Sequence, residues 1–411
     1  MQADQTSPSP AASRRFVSVD ALRGFDMLWI VGAASLVGAV DNLGGGQGTG
    51  LLHVLKQQLH HKDWEGFAFY DLIFPLFVFL VGVSIVFSLN RALSSGDGKK
   101  DAYLRVIRRF LLLYVVALFY SGGFSKEWPE LRLMGVLNRI ALCYLFASLA
   151  FLNLRARGLA VLCAGLLLGY WGLMAWTPFP DLRPRNPQGE LISESVTTRN
   201  VSELNWASTH VIRGVYQPGL NLANYIDQKY LPGRKHDGTW DPEGLLSTIP
   251  AIGTCLLGVL AGLLLQNGGV PDQKKVVYLL MAGAACVAWG FLWGTQFPVI
   301  KKIWTSSYVL VAGGYSALLL GAFHQVIEVW GFQRWAQPFV WVGSNALTIY
   351  LASSIVGFRD IASRFAGGSV QKFLNTAITP GAGDLLVALL AVCVGLALVR
   401  FLYQKKIFLR L

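Results

Sequence analysis

Charge is scarce in this chain. Only 14% of its 411 residues are Asp, Glu, Lys or Arg, against 54% hydrophobic, and the mean hydropathy is +0.47. A soluble globular domain carries about 25% charged residues, so that class is excluded and a membrane protein is indicated. Acidic residues are the scarcer sign, 23 against 35 basic, for a net charge of +12. This excess does not call for a nucleic-acid partner, because the basic residues are scattered through short loops between apolar runs, where positive-inside topology accounts for them. Cysteine is sparse as well. Cys143, Cys163, Cys255, Cys286 and Cys393 all fall in apolar stretches, with no CxxC pair and no His or Asp at ligand spacing; they read as small buried hydrophobes, and no metal site is expected. Residues 1–14 lack the apolar core of a signal peptide and read as a disordered leader. No internal repeat is evident, which removes the signature of an inverted-repeat transporter.

In place of charge the chain has long apolar runs. A spanning helix needs about 20 mostly apolar residues, and ten such stretches occur, at approximately 20–40, 67–90, 104–121, 133–153, 158–176, 244–266, 275–294, 305–329, 336–356 and 383–403. The sequence therefore predicts an all-α polytopic membrane protein of about ten spanning helices, a single domain over 15–411 behind the 1–14 tail. With the N-terminus cytoplasmic, one side collects Arg14, Arg15, Arg91, Lys99, Lys100, Arg105, Arg108, Arg109, Arg155, Arg157, Lys274, Lys275, Arg334, Lys405, Lys406 and Arg410. The short loops of the other side carry chiefly Lys56, Lys62, Lys126, Arg132, Lys301 and Lys302. This bias puts both termini in the cytoplasm and the loops 41–66 and 177–243 outside. The 177–243 segment has four prolines by residue 187 yet keeps Trp206, Tyr216, Tyr225, Tyr230 and Trp240. Disordered segments are poor in aromatics, so it reads as an ordered cap.

Charged side chains inside spanning helices are costly and usually paired or functional. Asp20, Arg23 and Asp26 recur every three residues, which puts Arg23 between two carboxylates on one face of the first run. The set reads equally as a self-neutralising anchor or as a donor-binding group. Arg139, alone in an apolar run, needs a carboxylate or a phosphate because its charge cannot be given up; Asp71 or Glu243 is the expected partner. Asp241-Pro242 fits an N-cap followed by proline at the first helical position, with Glu243 and Ser247 one turn apart behind it. Lys301, Lys302, Ser306 and Ser307 open the eighth run, where lysines more often snorkel than bind. Gly343-Ser344-Asn345 reads first as close helix packing.

The stretch His60-His61-Lys62-Asp63-Trp64-Glu65-Gly66 stands at the mouth of the second run. Histidine alone titrates near neutrality in its ordinary state, at about 6.5, so His61 is the candidate acid, base or nucleophile, with Asp63 or Asp71 to orient its ring. Spacing alone favours reading His60 and His61 as a solvated interfacial pair. Pro75, four residues after Asp71, offers no N–H to the Asp71 carbonyl, so the helix opens at that turn.

Arg15 to Met27 (Arg-Phe-Val-Ser-Val-Asp-Ala-Leu-Arg-Gly-Phe-Asp-Met), His61-Lys-Asp-Trp64-Glu-Gly66, Asp71-Leu-Ile-Phe-Pro75, Gly135-Val-Leu-Asn-Arg139, Asp241-Pro-Glu243, Lys302-Ile-Trp304-Thr-Ser306 and Gly343-Ser-Asn345 occur in this order. As a set they resemble the heparan-alpha-glucosaminide N-acetyltransferase family, from about residue 15 to the C-terminus. The resemblance implies a membrane enzyme that takes acetyl groups from cytoplasmic acetyl-CoA and delivers them to the amine of a glucosamine-type sugar or glycan across the membrane. Its active-site histidine lies in a His-x-x-Trp-x-Gly pattern, which selects His61 over His60. The expected site is then His61 with Asp71 for catalysis. The acceptor is expected at Trp64, Asp63, Arg139, Asp241, Glu243, Lys302, Ser306 and Asn345, and acetyl-CoA at Asp20, Arg23, Asp26, Arg105, Arg108 and Arg109. No metal and no nucleic acid are expected; the bilayer, and a second copy in a homodimer, complete the expected partners. The expected location is the cell inner membrane. An O-acyltransferase of surface polysaccharide and a transporter without chemistry are the alternative readings.

Overall fold

A computed structural model describes residues 16–43, 50–94, 98–186, 188, 190–193, 195–196 and 198–409. The expected leader 1–14 and the inner-side charges Arg14, Arg15 and Arg410 lie outside these residues. The chain order is α1 (Val17–Asn42), α2 (Leu51–Leu59), α3 (Phe69–Ser94), α4 (Lys99–Tyr120), α5 (Val136–Asn153), α6 (Ala156–Trp176), α7 (Leu222–Tyr230), α8 (Thr248–Gln266), α9 (Asp272–Gly294), α10 (Ser306–His324), α11 (Gln337–Ser344), α12 (Ala346–Val356), α13 (Phe358–Ala366), α14 (Ser369–Ala377) and α15 (Ala382–Gln404). Among the described residues the one β-ladder, apart from isolated bridges, pairs Phe179–Pro180 with Val211–Ile212. The protein is an all-α polytopic membrane protein.

Among the described residues seven helices are long and apolar enough to cross a membrane: α3, α5, α6, α8, α9, α15, and α10 continued through a π-turn to Val329. Bent pairs bring the number to nine, one within α1 and one where α11 meets α12 at 70°. The sequence led to ten. The remaining run, 104–121, is helical as part of α4, but Arg105, Arg108 and Arg109 crowd its first turns and spoil it as a uniformly apolar span. The helix expected from residue 244 also starts later, at Thr248. Asp241 does not cap it; its carboxylate is occupied by Arg132, and residues 241–247 form turns.

The bundle is layered by burial. The apolar windows of α3 and α8 are 67% buried, whereas those of α9 and α6 are 22% and 28%, so the former form the protein-facing centre and the latter the lipid-facing wall. α3 and α8 approach until backbone meets backbone. A Cβ on Gly82 would sit 1.9 Å from the Cys255 carbonyl oxygen, and one on Gly258 1.9 Å from that of Phe79, so glycine is required at this crossing. At one end of the bundle the segment 177–243 folds back over the helices. Asn221 caps α7 by accepting from the Asn224 N–H at 2.9 Å, and Leu222, Asp227 and Trp240 of this segment are buried. The residues that close this end are the ones that shape the site.

Candidate active site

The loop between α2 and α3 is tied to a segment more than two hundred residues away. Glu65 bridges Ile300, and the Gly66 N–H donates to the Val299 carbonyl at 2.9 Å. Gly66 has φ 115°, in the left-handed region open to glycine, so the glycine closing the His-x-x-Trp-x-Gly stretch serves a turn. Trp64 anchors the cap by donating its indole N–H to the Tyr216 carbonyl at 2.7 Å, and its ring meets Trp240 at 5.7 Å. His61 and Lys301 are brought face to face by this pairing.

His61 Nδ1 lies 2.8 Å from Asp71 Oδ1. Asp71 is fully buried, and its Oδ2 accepts from the backbone N–H of Lys62 at 3.2 Å and of Ala68 at 3.1 Å. The carboxylate is therefore fixed on both oxygens, and it orients the imidazole so that Nδ1 faces protein. The His61 ring stacks on Tyr70 with centroids 4.4 Å apart. Lys301 Nζ lies 2.9 Å from Nδ1, 3.3 Å from Nε2 and 3.4 Å from Asp71 Oδ1. Burial pushes the Lys301 amine below the usual lysine range, against the pull of Asp71 and Glu243. The opened turn at Pro75 is filled from α10: the Tyr308 hydroxyl donates to the Asp71 carbonyl at 2.8 Å, replacing the N–H that proline lacks. His60 turns instead to Asp41, with which it pairs at 2.8 Å; both histidines are exposed.

His61 and Lys301 line a cavity of about 400 Å³ that also takes in Asp63, Arg132, Glu243, Lys302 and Trp304. Arg132 bridges Asp241 at 2.7 Å and Glu243 at 2.6 Å. Burial would raise the Asp241 carboxyl, but Arg132 outweighs it and holds it below the usual range; burial dominates at Glu243 and raises it. Behind them, burial pushes Asp227 up to about 7 although the Leu245 and Asp241 N–H groups donate to it. Lys302 donates to Asp237 at 2.9 Å and lies 5.6 Å from the Trp240 ring.

Other expected residues are placed elsewhere. Arg139 does not make the expected ion pair: its guanidinium contacts the Ser247 hydroxyl, lies 3.4 Å from the Gly244 carbonyl and sits 4.9 Å over the Trp304 ring. Glu243 is already bound by Arg132, which explains the difference. Ser306 is in the core, donating to the Leu167 carbonyl at 2.7 Å. Asn345 stands at the α11–α12 break, buried, with neither side-chain polar atom hydrogen-bonded; neither residue lines the cavity.

A second cavity, of about 440 Å³, runs through the bundle from Arg23, Ser84, Ser88 and Arg109 to Phe74 and Val136. Val136 lines both cavities, and across the partition Phe74 meets Trp304 at 5.0 Å. The expected triad of α1 is split. Arg23 binds Asp20 at 3.2 Å and Ser84 at 2.6 Å, while Asp26 is buried with neither oxygen hydrogen-bonded and does not line the cavity. Arg109 stacks over Tyr144 at 4.7 Å; Arg105 and Arg108 are exposed and outside the lining. Among the described residues no group of three His, Cys, Asp or Glu could hold a metal ion. Lys301, Arg132, Tyr70 and Tyr308 are the site residues that sequence reasoning did not select; the tandem lysines were visible, but their approach to His61 depends on the Glu65–Ile300 bridge.

A family model described as a domain of unknown function (DUF5009) matches residues 15–183. Two curated proteins are similar to the chain. Heparan-alpha-glucosaminide N-acetyltransferase of Mus musculus is 23% identical over 408 residues, covering 84% of this chain and 54% of that protein. The Homo sapiens protein of the same name is 26% identical over 388 residues, covering 83% and 53%. The chain thus spans about half the length of the curated relatives it matches. The resemblance carried by the motifs is borne out by these matches.

Proposed function

We propose that the protein is a membrane acyltransferase that moves an acetyl group from acetyl-CoA to the amine of a glucosamine-type sugar, with His61 as the reacting group. The observation that carries this reading is the ring of His61, fixed by a fully buried Asp71 and lining a cavity that shares Val136 with a second cavity through the bundle. With Nδ1–H donated to Asp71, the Nε2 lone pair is the one available for chemistry. Nε2 takes the proton of the acceptor amine as it attacks the thioester carbonyl, or attacks that carbonyl itself. In the first route the C–S bond breaks as the amide C–N bond forms, and the proton passes to the departing thiolate. In the second an acyl-imidazole forms with loss of the thiolate; the amine then displaces the imidazole, and its proton passes through the freed Nε2 to the thiolate.

The donor fits the second cavity by its chemistry. Arg23 and Arg109 stand at the end that would receive phosphates, and the apolar middle suits a pantetheine arm whose thioester reaches towards Val136. The excess of Lys and Arg at that end of the bundle supports a cytoplasmic position for it and for both termini, with the cap outside the inner membrane. The acceptor amine would enter beneath the cap beside Asp63 and Glu243.

The test is acetyl transfer from labelled acetyl-CoA to glucosamine by the purified protein. His61→Ala is expected to lower kcat/KM by about 10²- to 10⁴-fold, the usual contribution of a positioned acid–base group. Undiminished turnover in a folded variant sinks the assignment.

A further inference from the structure

Asp71 is not the only charge at the His61 ring. Lys301 Nζ is nearly as close to Nδ1, at 2.9 Å, as the carboxylate is, at 2.8 Å, and it is within 3.3 Å of Nε2. Its position is built in. Ile300 is paired with Glu65, the Thr305 hydroxyl accepts from the Ile300 N–H at 3.0 Å, and the Trp304 N–H closes the turn onto the Lys301 carbonyl at 2.9 Å, with Trp304 itself at φ 50°. A non-glycine residue in that region is uncommon and costs energy, so the turn that presents Lys301 is held by its surroundings.

The two charges oppose one another. A carboxylate alone at Nδ1 favours the imidazolium, whose Nε2 carries a proton and can neither attack a thioester nor take a proton from an amine. A lysine cation at the same ring edge disfavours it. Other charged or titratable groups around the ring are Lys62 and Asp63 on its own loop, Tyr70 on α3, Arg132 before α5, His236, Asp237 and Glu243 from the cap, and Lys302. Arg132 is bound by Asp241 and Glu243 and Lys302 by Asp237, and the charged groups within hydrogen-bond distance of the ring nitrogens are Asp71 and Lys301.

We propose that Lys301 is a positioning residue that keeps His61 as the uncharged imidazole against the pull of Asp71. The functional meaning of this rests on His61 being the reacting group, but the electrostatic arrangement can be measured without any turnover. Diethylpyrocarbonate acylates the uncharged imidazole, so the rate of His61 modification against pH, followed by peptide mass spectrometry on the purified full chain, reports its charge state. Lys301→Met is expected to move the midpoint of that profile up by about one pH unit, the scale of a nearby charge; below the midpoint this is about a tenfold slower reaction. Lys301→Arg, which keeps the cation, is expected to stay within about 0.3 unit of the parent, and Asp71→Asn to move down. The double variant Lys301→Met with Asp71→Asn is expected to return towards the parent midpoint, while exposed His60 holds still in the Lys301 variants.

An unmoved or downward midpoint in Lys301→Met overturns the proposal, as does an equal shift in Lys301→Arg. Lys301→Gln repeats the neutral substitution should the methionine variant fail to fold. Failure of the parent protein to transfer acetyl groups would instead count against the acyltransferase reading and leave this titration standing. In the transfer assay the acid limb of the pH profile should move by the same amount in Lys301→Met and stay in place in Lys301→Arg; a merely structural lesion would lower the rate at every pH without moving the limb.

Discussion

The two cavities that share Val136 are built on opposite plans. The one beneath the cap is a network of paired ions anchored on the buried carboxylates Asp71, Asp241 and Glu243: His61 with Asp71 and Lys301, Arg132 with Asp241 and Glu243, Lys302 with Asp237. The one inside the bundle is mostly apolar, with arginines gathered at its far end. Buried ions are expensive to desolvate and depend on their partners, so a network of this kind fixes geometry. An apolar channel with a cationic end does the reverse: it leaves the occupant's middle unspecified and recognises its charge. The first plan suits chemistry on a small group, the second a long ligand held by one end. On the proposed reading, the thin layer at Val136, Phe74 and Trp304 is where the two must meet.

The strongest way to break this contrast is at His61, where on the proposed reading loss of the ring removes the chemistry and leaves the channel intact. The alanine variant should therefore keep its affinity for acetyl-CoA, measured by calorimetry in detergent, while losing turnover by the two to four orders of magnitude given above. The next largest effect is expected at the partition. Val136→Trp fills the only residue common to both linings among the described residues and should lower kcat by about 10²-fold, the scale of a misplaced reacting group. Full activity in that variant would show that the donor does not pass between these cavities.

Much of this was legible in the sequence, for reasons that can be located. Apolar length alone identifies a spanning helix, so α3, α5, α6, α8, α9, α10 and α15 were readable from composition. Asp71 and Pro75 were readable as an opened turn because the reason is local: proline has no N–H. What fills the opening is not local, and Tyr308 reaches it from 237 residues away. Lys301 was hidden for the same reason. Arg139 shows a different failure: the carboxylate expected for it is not there, because Arg132 has taken Glu243, and which of two arginines wins a carboxylate is decided by tertiary geometry. The Asp20–Arg23–Asp26 spacing likewise described a helix face, while the pairing was settled by Ser84 on a neighbouring helix.

A smaller effect is expected at the far end of the inner cavity. Arg109 lines it with its Nε unpartnered and its guanidinium stacked on Tyr144. A hydrogen bond to a charged group contributes about 1.5–3 kcal/mol, so Arg109→Ala should raise the KM for acetyl-CoA by at least about tenfold while leaving that for glucosamine unchanged. Equal changes in both constants would mean that the residue acts on the fold and not on the donor.

The smallest effect separates the ionic network from its support. Asp227 does not line the outer cavity, but it accepts from the N–H groups of Asp241 and Leu245 and so holds the segment that carries Arg132's two carboxylates. Burial raises its folded-state value to about 7, whereas in the unfolded chain it returns to about 3.9. Between these limits the folded protein keeps a proton that the unfolded chain has released. The contribution to stability is therefore complete below about pH 4 and is lost as pH rises through about 7. Melting of the detergent-solubilised protein should accordingly drop by several degrees between about pH 5 and 8, and Asp227→Asn, which cannot ionise, should flatten that slope. A slope unchanged by the substitution would move the pH dependence to another group and leave the cap resting on its hydrogen bonds alone.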